Sequence, residues 1–153
     1  MISFLAMKLK NYERVWIPSA MNSFVAKIKS IKNEQSLHVI SFDVAGKTTF
    51  WMMGLELPNV DIGDMVKIGF KSTSVSIGVN VPQTISFSNE IDAVVENITR
   101  GKILCSILLH THAGSVESIM TVGAFKRLNL KENDRVKVYI RASEVAIYEV
   151  LND

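Results

Sequence analysis

Residues 64–75, DMVKIGFKSTSV, recur at an offset of 70 residues as DRVKVYIRASEV, residues 134–145. In both stretches apolar and other residues alternate with a period of two, which is typical of a half-buried β-strand. A second pair of stretches, SAMNSFVA at residues 19–26 and SFSNEIDA at residues 86–93, repeats Ser, Asn and Ala in register. The sequence therefore predicts two copies of one β-rich unit.

The domain boundaries that follow are an N-terminal extension at residues 1–18, a first repeat at 19–85 and a second at 86–153. Turn-prone residues such as Ala45-Gly46 and Ala113-Gly114 separate the strand candidates. We expect these strands at residues 24–31, 37–44, 48–53, 66–70, 91–98, 102–109, 116–122 and 136–140. Residues 75–77 and 145–150 are expected to close their own units. Only residues 123–128 look helical, because Pro58 interrupts the matching part of the first copy. The predicted fold class is all-β, with two small barrels.

Composition narrows the function. The chain has 153 residues, 48% of them hydrophobic, which excludes disorder and exceeds what two barrels of roughly 65 residues need for their interiors. We therefore expect a homo-oligomer. The net charge of +2 is not concentrated in any block, which argues against nucleic-acid binding. The lone Cys105 fits a reducing compartment, and the apolar start of the chain is predicted to be neither a signal peptide nor a membrane span.

Polar residues gather at the ends of the repeated strands. The first cluster contains Ser19, Asn22, Lys71, Ser72, Thr73 and Ser74, and the second contains Ser86, Ser88, Asn89, Arg141 and Ser143. These groups are rich in hydrogen-bond donors, which suits a fully deprotonated tetrahedral oxyanion. Hydrogen phosphate would need an acceptor for its O–H. Glu144 is the nearest carboxylate, and strand alternation would point it to the opposite face. The alternative is that these residues cap turns and protect strand edges.

These motifs carry a family resemblance. The chain from about residue 15 to 148 resembles two tandem molybdate-binding Mop domains of the molbindin or TOBE type, whose units open with Ser-Ala-Arg-Asn and close with Lys-Ala-Ser-Ser-Val. The opening motif is matched at residues 19–22 and 86–89, and the closing motif at 71–75 and 141–145. The mid-domain Val-Ile-Thr of the family is similar to residues 119–121, which end in Thr121, and residues 128–134 are similar to its Leu-Gly-Leu-Lys-x-Gly-Asp.

The resemblance implies two OB-like five-stranded barrels, assembled as a trimer in the cytoplasm, that hold molybdate or tungstate between domains and subunits. The implied role is noncatalytic storage, buffering or delivery, without an organic cofactor. The oxyanion-binding residues that it implies are Ser19, Asn22, Lys71, Ser72, Thr73, Ser74, Ser86, Ser88, Asn89, Thr121, Arg141, Ala142 and Ser143. An alternative role is a regulatory oligomerisation or effector-sensing module that acts with a molybdate transporter or a transcription partner.

The sequence suggests three other functions. His110 and His112, with Cys105 nearby, could form a transition-metal site. The sequence does not identify a third ligand, so we assign no metal. Trp16, Phe50 and Trp51 could form a stacking platform for nucleic acid, but packing is the favoured use because basic residues do not accompany them. An enzyme is not expected, since the repeats assemble no acid–base pair or activated nucleophile.

Overall fold

The computed structural model describes residues 4–8, 14–18 and 21–151, with the backbone alone in the first two ranges. These residues form two five-stranded antiparallel sheets and a separate two-stranded hairpin, which confirms the predicted all-β, OB-like fold. The strands are β1 (Phe4–Lys8), β2 (Arg14–Pro18), β3 (Asn22–Glu34), β4 (Leu37–Val44), β5 (Thr48–Leu55), β6 (Met65–Phe70), β7 (Ser76–Gly78), β8 (Asn89–Arg100), β9 (Leu104–Thr111), β10 (Gly114–Thr121), β11 (Arg135–Ile140) and β12 (Ala146–Val150). Two 3-10 turns, turn 1 (Ser72–Ser74) and turn 2 (Ala142–Glu144), and one helix, α1 (Val122–Leu128), complete these ranges.

The two large sheets exchange their closing strands. Sheet 1 has the order β12-β6-β3-β4-β5, and sheet 2 has the order β10-β9-β8-β11-β7. Thus β7, from the first repeat, pairs with β11 of the second, while β12, from the second repeat, pairs with β6 of the first. The expectation that residues 75–77 and 145–150 close their own units is therefore wrong. The extended residues on either side of each 3-10 turn carry the chain across to the other sheet.

Alternation along the strands builds one hydrophobic core from both sheets. The strands β3 and β8 begin with the same pattern of buried and more exposed positions, as the repeat predicts. In sheet 1 the rings of Phe24, Phe50 and Phe70 pack together, with centroids 5.5 to 6.3 Å apart. In sheet 2 smaller residues such as Ile107 and Leu109 take the central positions. Buried side chains of both sheets belong to the same cluster, so the two repeats stabilise each other.

Two asparagines connect the sheets at equivalent places. The Asn22 side chain, at the start of β3, donates to the Glu117 carbonyl and accepts from the Glu117 amide, both at 2.8 Å. The Asn89 side chain, at the start of β8, makes the same pair of bonds with the Trp51 backbone, at 3.0 and 2.6 Å. Both asparagines are buried. Each amide thus continues the hydrogen-bond ladder of an edge strand into the other sheet.

The helix α1 begins one residue before the predicted segment. The Thr121 hydroxyl caps it by accepting from the Ala124 amide at 3.2 Å. Asn129, in the left-handed conformation with φ of 51°, ends it. In the part of the chain that the structure describes, no helix has the length and apolarity needed to cross a bilayer.

The asparagine bridges should be costly to remove. Asn22→Ala leaves the buried amide and carbonyl of Glu117 without their partner, so we expect the free energy of unfolding to fall by about 1–3 kcal/mol, and Asn89→Ala should act alike. Urea unfolding followed by circular dichroism measures the change. Asn33→Ala, at an exposed position near the end of β3, is the control and should change stability by less than about 0.5 kcal/mol. Equal midpoints for Asn22→Ala and Asn33→Ala would contradict the bridging role.

Candidate anion-binding site

The opening and closing motifs of each copy lie side by side. Asn22 is opposite Phe70 in the β3–β6 pair, and Asn89 is opposite Ile140 in the β8–β11 pair. The closing motifs begin at the next residue after Phe70 and after Ile140. Asn22 therefore lies beside the closing motif of the first copy, and Asn89 lies beside that of the second.

The closing motifs fold as the two 3-10 turns. Lys71 and Arg141, which precede them, are extended, with φ and ψ of −69° and 146° and of −70° and 142°. The Ser74 amide donates to the Lys71 carbonyl at 2.9 Å, and the Glu144 amide donates to the Arg141 carbonyl at the same distance. The two copies therefore present the same backbone with different side chains.

Each turn packs against an edge strand of the other sheet. Turn 1 contacts β10, and turn 2 contacts β5. The buried hydroxyl of Ser118 in β10 donates to the carbonyl of Val75, the residue after turn 1, at 2.8 Å. Turn 1 is thus held between two sheets, which positions its side chains on a rigid support.

The two turns also touch each other, which corrects the expectation for Glu144. The Ser74 hydroxyl donates to the Glu144 carboxylate at 3.1 Å. Strand alternation predicts that Glu144 points to the face opposite the polar cluster. Glu144 lies instead in a 3-10 turn, where a period of two does not apply. One hydroxyl of the donor cluster therefore already has an acceptor.

Ser72 and Ala142 occupy the equivalent position in the two turns. Both are buried, with 3% and 7% of their surface exposed. The Ser72 hydroxyl has no hydrogen-bond partner among the described residues. Ala142 shows that a methyl group suits the position, and the Ser72 hydroxyl is unpaired among the described residues, so this hydroxyl is available to a bound anion.

The cations differ in their surroundings. Lys71 is exposed and forms no ion pair with any residue that the structure describes. The Arg141 guanidinium lies 5.5 Å from the centroid of the Phe87 ring, a cation–π contact that still leaves the residue exposed. By contrast, Lys137 donates hydrogen bonds to the carboxylates of Glu90 and Asp92, which raise the pKa of Lys137 and neutralise its charge locally. Lys71 is therefore the better placed of these cations for a soluble anion.

The remaining candidate residues have varied environments. Asn22 and Asn89 bridge the sheets and Thr121 caps α1, so these three side chains serve the scaffold. Four hydroxyl-bearing residues are exposed and free to meet a ligand or a partner: Thr73, Ser86, Ser88 and Ser143. Ser19 lies outside the described residues.

The structure also shows the surroundings of the histidines, the cysteine and the aromatic residues of the alternative hypotheses. His112 Nε2 lies 2.6 Å from the Thr48 hydroxyl, and no group of three potential ligands from His, Cys, Asp and Glu occurs in the described ranges. Cys105 is buried, and this burial raises the pKa of its thiol. Phe50 is a core residue, while the side chain of Trp16 lies outside the described residues.

Sequence reasoning missed the buried polar residues of β10. Ser118 supports turn 1, and Glu117 receives the Asn22 bridge through its backbone while its carboxylate accepts from Ser106 at 2.5 Å. The available signal was the pair Glu117-Ser118 between the apolar residues Val116 and Ile119, and the structure buries both polar residues.

Comparison with solved structures places this geometry in context. A structure of the cytoplasmic molybdate-binding protein ModG, in a form with molybdate bound, superimposes with a TM-score of 0.78 and 20% sequence identity, covering 84% of this chain and 96% of that one. The chain has the ModG fold. A molybdate-binding protein from Sporomusa ovata matches 46% of this chain and all of its own length, with 26% identity and a TM-score of 0.40.

The sequence comparisons add nothing to this likeness. No protein-family description and no curated protein matches the sequence. The similarity to ModG extends over nearly the whole of ModG, so it includes both five-stranded sheets of the present chain. At 20% identity it establishes the fold, and the ligand must be argued from the residues of this chain.

Reciprocal substitutions at the paired turn positions test the assignment of Ser72. Without ligand, Ser72→Ala should raise the free energy of unfolding by about 1 kcal/mol, because it removes an unpaired buried hydroxyl, whereas Ala142→Ser should lower it by about 1–3 kcal/mol. Urea unfolding in anion-free buffer measures both, with the exposed Ser143→Ala as control. A loss of stability in Ser72→Ala would show that the hydroxyl is structural.

Proposed function

We propose that the protein binds molybdate or tungstate without catalysing a reaction, for storage, buffering or delivery in the cytoplasm. The observation that carries the proposal is turn 1, where exposed Lys71 precedes the buried hydroxyl of Ser72 and neither polar group has a partner among the described residues. ModG, which has the same fold, is a cytoplasmic molybdate-binding protein.

The charges around turn 1 indicate where the anion would sit. A dianion is attracted to Lys71 and repelled by Glu144, which lies on the Ser74 side of the turn. We therefore place the anion on the side of Lys71, Ser72 and Thr73. Ser72 and Thr73 hydroxyls and unused backbone amides would supply donors of fixed direction.

Selectivity follows from the same groups. Molybdate, tungstate and sulfate are fully deprotonated at neutral pH and need only donors, whereas hydrogen phosphate also brings an O–H. The Glu144 carboxylate, which accepts from Ser74, lies on the other side of turn 1 from the proposed anion position and so would not accept from that O–H. Cavity size would then have to separate the three dianions.

We propose that neighbouring subunits complete the site, in a trimer. A tetrahedral anion with four oxygens needs more donors than turn 1 offers, and Ser19 or Ser86 of another copy would supply them. Cross-strand pairs on β4 and β5, Leu37 with Leu55 and Val39 with Met53, form an exposed apolar face that supports oligomerisation. Arg141 and Ser143 would form a second type of site in the same way.

The alternative function, a regulatory effector-sensing module, also has an observation in its favour. The arginine of the family's opening motif is replaced by Met21 in the first copy and by Ser88 in the second. Fewer charge-assisted bonds mean weaker retention of an anion, which suits reversible sensing better than storage. Elemental analysis of protein expressed with added molybdate separates the roles, since storage predicts that molybdenum co-purifies.

Isothermal titration with molybdate, tungstate and sulfate tests the binding site. Lys71→Ala should weaken molybdate binding about 10- to 150-fold, the equivalent of losing a charged hydrogen bond of about 1.5–3 kcal/mol. Lys102→Ala, an exposed lysine between β8 and β9, is the matched control and should bind as the parent does. Unchanged affinity in Lys71→Ala would reject turn 1 as the site.

Light scattering coupled to size-exclusion chromatography tests the assembly. The parent should elute as a trimer, and Leu55→Lys should shift it towards monomer, because a charge in the apolar face opposes its burial. Ile103→Lys, at a 77% exposed position in the β8–β9 loop, should leave the trimer intact. A parent that is monomeric at micromolar concentration would contradict this part of the proposal.

A further inference from the structure

The two copies differ systematically at two aligned positions. At the offset of 70 residues that relates the closing motifs, Gly69 aligns with Tyr139 and Gly78 aligns with Tyr148. The first copy therefore has glycine at both positions, and the second has tyrosine at both. One position lies on the strand before the 3-10 turn, and the other lies on the closing strand after it.

Strand exchange brings one glycine and one tyrosine together in each sheet. In sheet 1 a Cβ atom on Gly69 would lie 2.7 Å from the ring of Tyr148. In sheet 2 a Cβ atom on Gly78 would lie 2.5 Å from the Val81 side chain and 2.7 Å from the ring of Tyr139. The pairing registers agree where the closing strands begin, since Ala146 is opposite Gly69 and Ser76 is opposite Tyr139. They diverge afterwards, because Gly78 is opposite Lys137 whereas Tyr148 lies in a bulge. Each ring thus fills the space that the missing side chain leaves.

Pairing within a single copy would combine these residues differently. If β7 paired with β6, Gly78 would lie diagonally across from Gly69 and leave a gap, and if β12 paired with β11, Tyr148 would meet Tyr139. A gap loses packing energy, and two rings in a space sized for one cause overpacking. Chain length does not prevent this arrangement. Each pair of strands is separated by five residues, 71–75 or 141–145, which is an ordinary hairpin connection.

The tyrosine in sheet 2, Tyr139, is buried and packs beside a second aromatic ring. Tyr139 is 3% exposed, and the Phe87 ring lies 5.4 Å from it, with the Arg141 guanidinium over Phe87. Tyr148 lies in the bulge of β12, between Ile147 and Glu149, and is 53% exposed. The Tyr139 ring therefore has less freedom to move aside for a second tyrosine than Tyr148 has.

We propose that the Gly69–Tyr148 and Tyr139–Gly78 pairs select strand exchange over self-closure of each repeat. Both pairings keep similar backbone hydrogen bonds, so side-chain fit decides between them. Exchange in turn draws the chain across the boundary between the sheets, where turn 1 contacts β10 and turn 2 contacts β5. The inference does not depend on which ligand the protein binds.

Two cysteine reporters in a Cys105→Ala background distinguish the pairings. Lys67 and Glu149 are exposed cross-strand partners in the β6–β12 pair, so Lys67→Cys with Glu149→Cys reports exchange. Lys137 aligns with Lys67, and β12 carries its bulge with it, so Lys137→Cys with Glu149→Cys reports self-closure. Crosslinks are read as monomer bands on non-reducing denaturing gels and by peptide mass spectrometry, which excludes links between chains. The parent should give the first crosslink and not the second.

The decisive variant combines Gly78→Tyr with Tyr148→Gly. Under exchange it places two glycines in sheet 1 and two tyrosines in sheet 2, whereas self-closure gives each sheet one of each. We expect a several-fold loss of the exchange crosslink and a matching gain of the self-closure crosslink. A folded variant that keeps the crosslink pattern of the parent would overturn the proposal.

The matched control combines Gly69→Tyr with Tyr148→Gly. This variant keeps one glycine and one tyrosine in each sheet under either pairing, and Tyr139 shows that the position accepts the ring. It should regain most of the melting temperature that Tyr148→Gly alone loses and give both crosslinks. If the decisive variant does not fold, this comparison settles the matter, because failure of Gly69→Tyr to restore the stability of Tyr148→Gly would overturn the proposal.

Discussion

Each five-stranded sheet is completed by a strand from the other repeat, and the rest of the structure depends on this exchange. A small barrel that closes on itself is stabilised by its own core alone, and units of this size are close to the lower limit for independent folding. Exchange makes the two repeats share strands and a continuous hydrophobic core. The bridges from Asn22 and Asn89 then connect the edge strands of one sheet to the other. The two repeats are thereby one folding unit in terms of packing.

The exchange also creates the setting of the two 3-10 turns. Each turn begins where the chain leaves one sheet, so the turn packs against residues of the other sheet. Turn 1 is supported by Ser118, and its Ser74 hydroxyl meets Glu144 of turn 2. The two turns therefore have the same backbone conformation and different side chains. Ser72 has a buried hydroxyl where Ala142 has a methyl group, and for this reason our proposal places the anion at turn 1.

The proposed anion chemistry and the scaffold make different demands on the same motifs. A donor that already has a protein partner contributes stability but little binding energy to a ligand. Asn22, Asn89 and Thr121 belong to this group, since their polar atoms are engaged in bridges or in a helix cap. Lys71 and Ser72 are polar groups in the motifs that the described structure leaves without an ion pair or hydrogen bond of the side chain. The motifs therefore divide into residues whose polar groups are engaged by the scaffold and residues whose polar groups have no partner among the described residues.

The sequence by itself determined the duplication, the all-β class, most strands and the helix near residues 122–128, because periodic burial and turn residues are local properties. It also placed each opening motif beside its closing motif, since aligned strand ends meet. Only the tertiary structure decided that β7 and β12 change sheets, that Glu144 reaches Ser74, and that Asn22 and Asn89 bridge edge strands. Those outcomes depend on contacts between residues 38 to 95 positions apart, such as Asn22 with Glu117, and on which ring fits beside Gly69 or Gly78. Local alternation carries no information about such contacts, because strands joined in either way have the same pattern of buried residues.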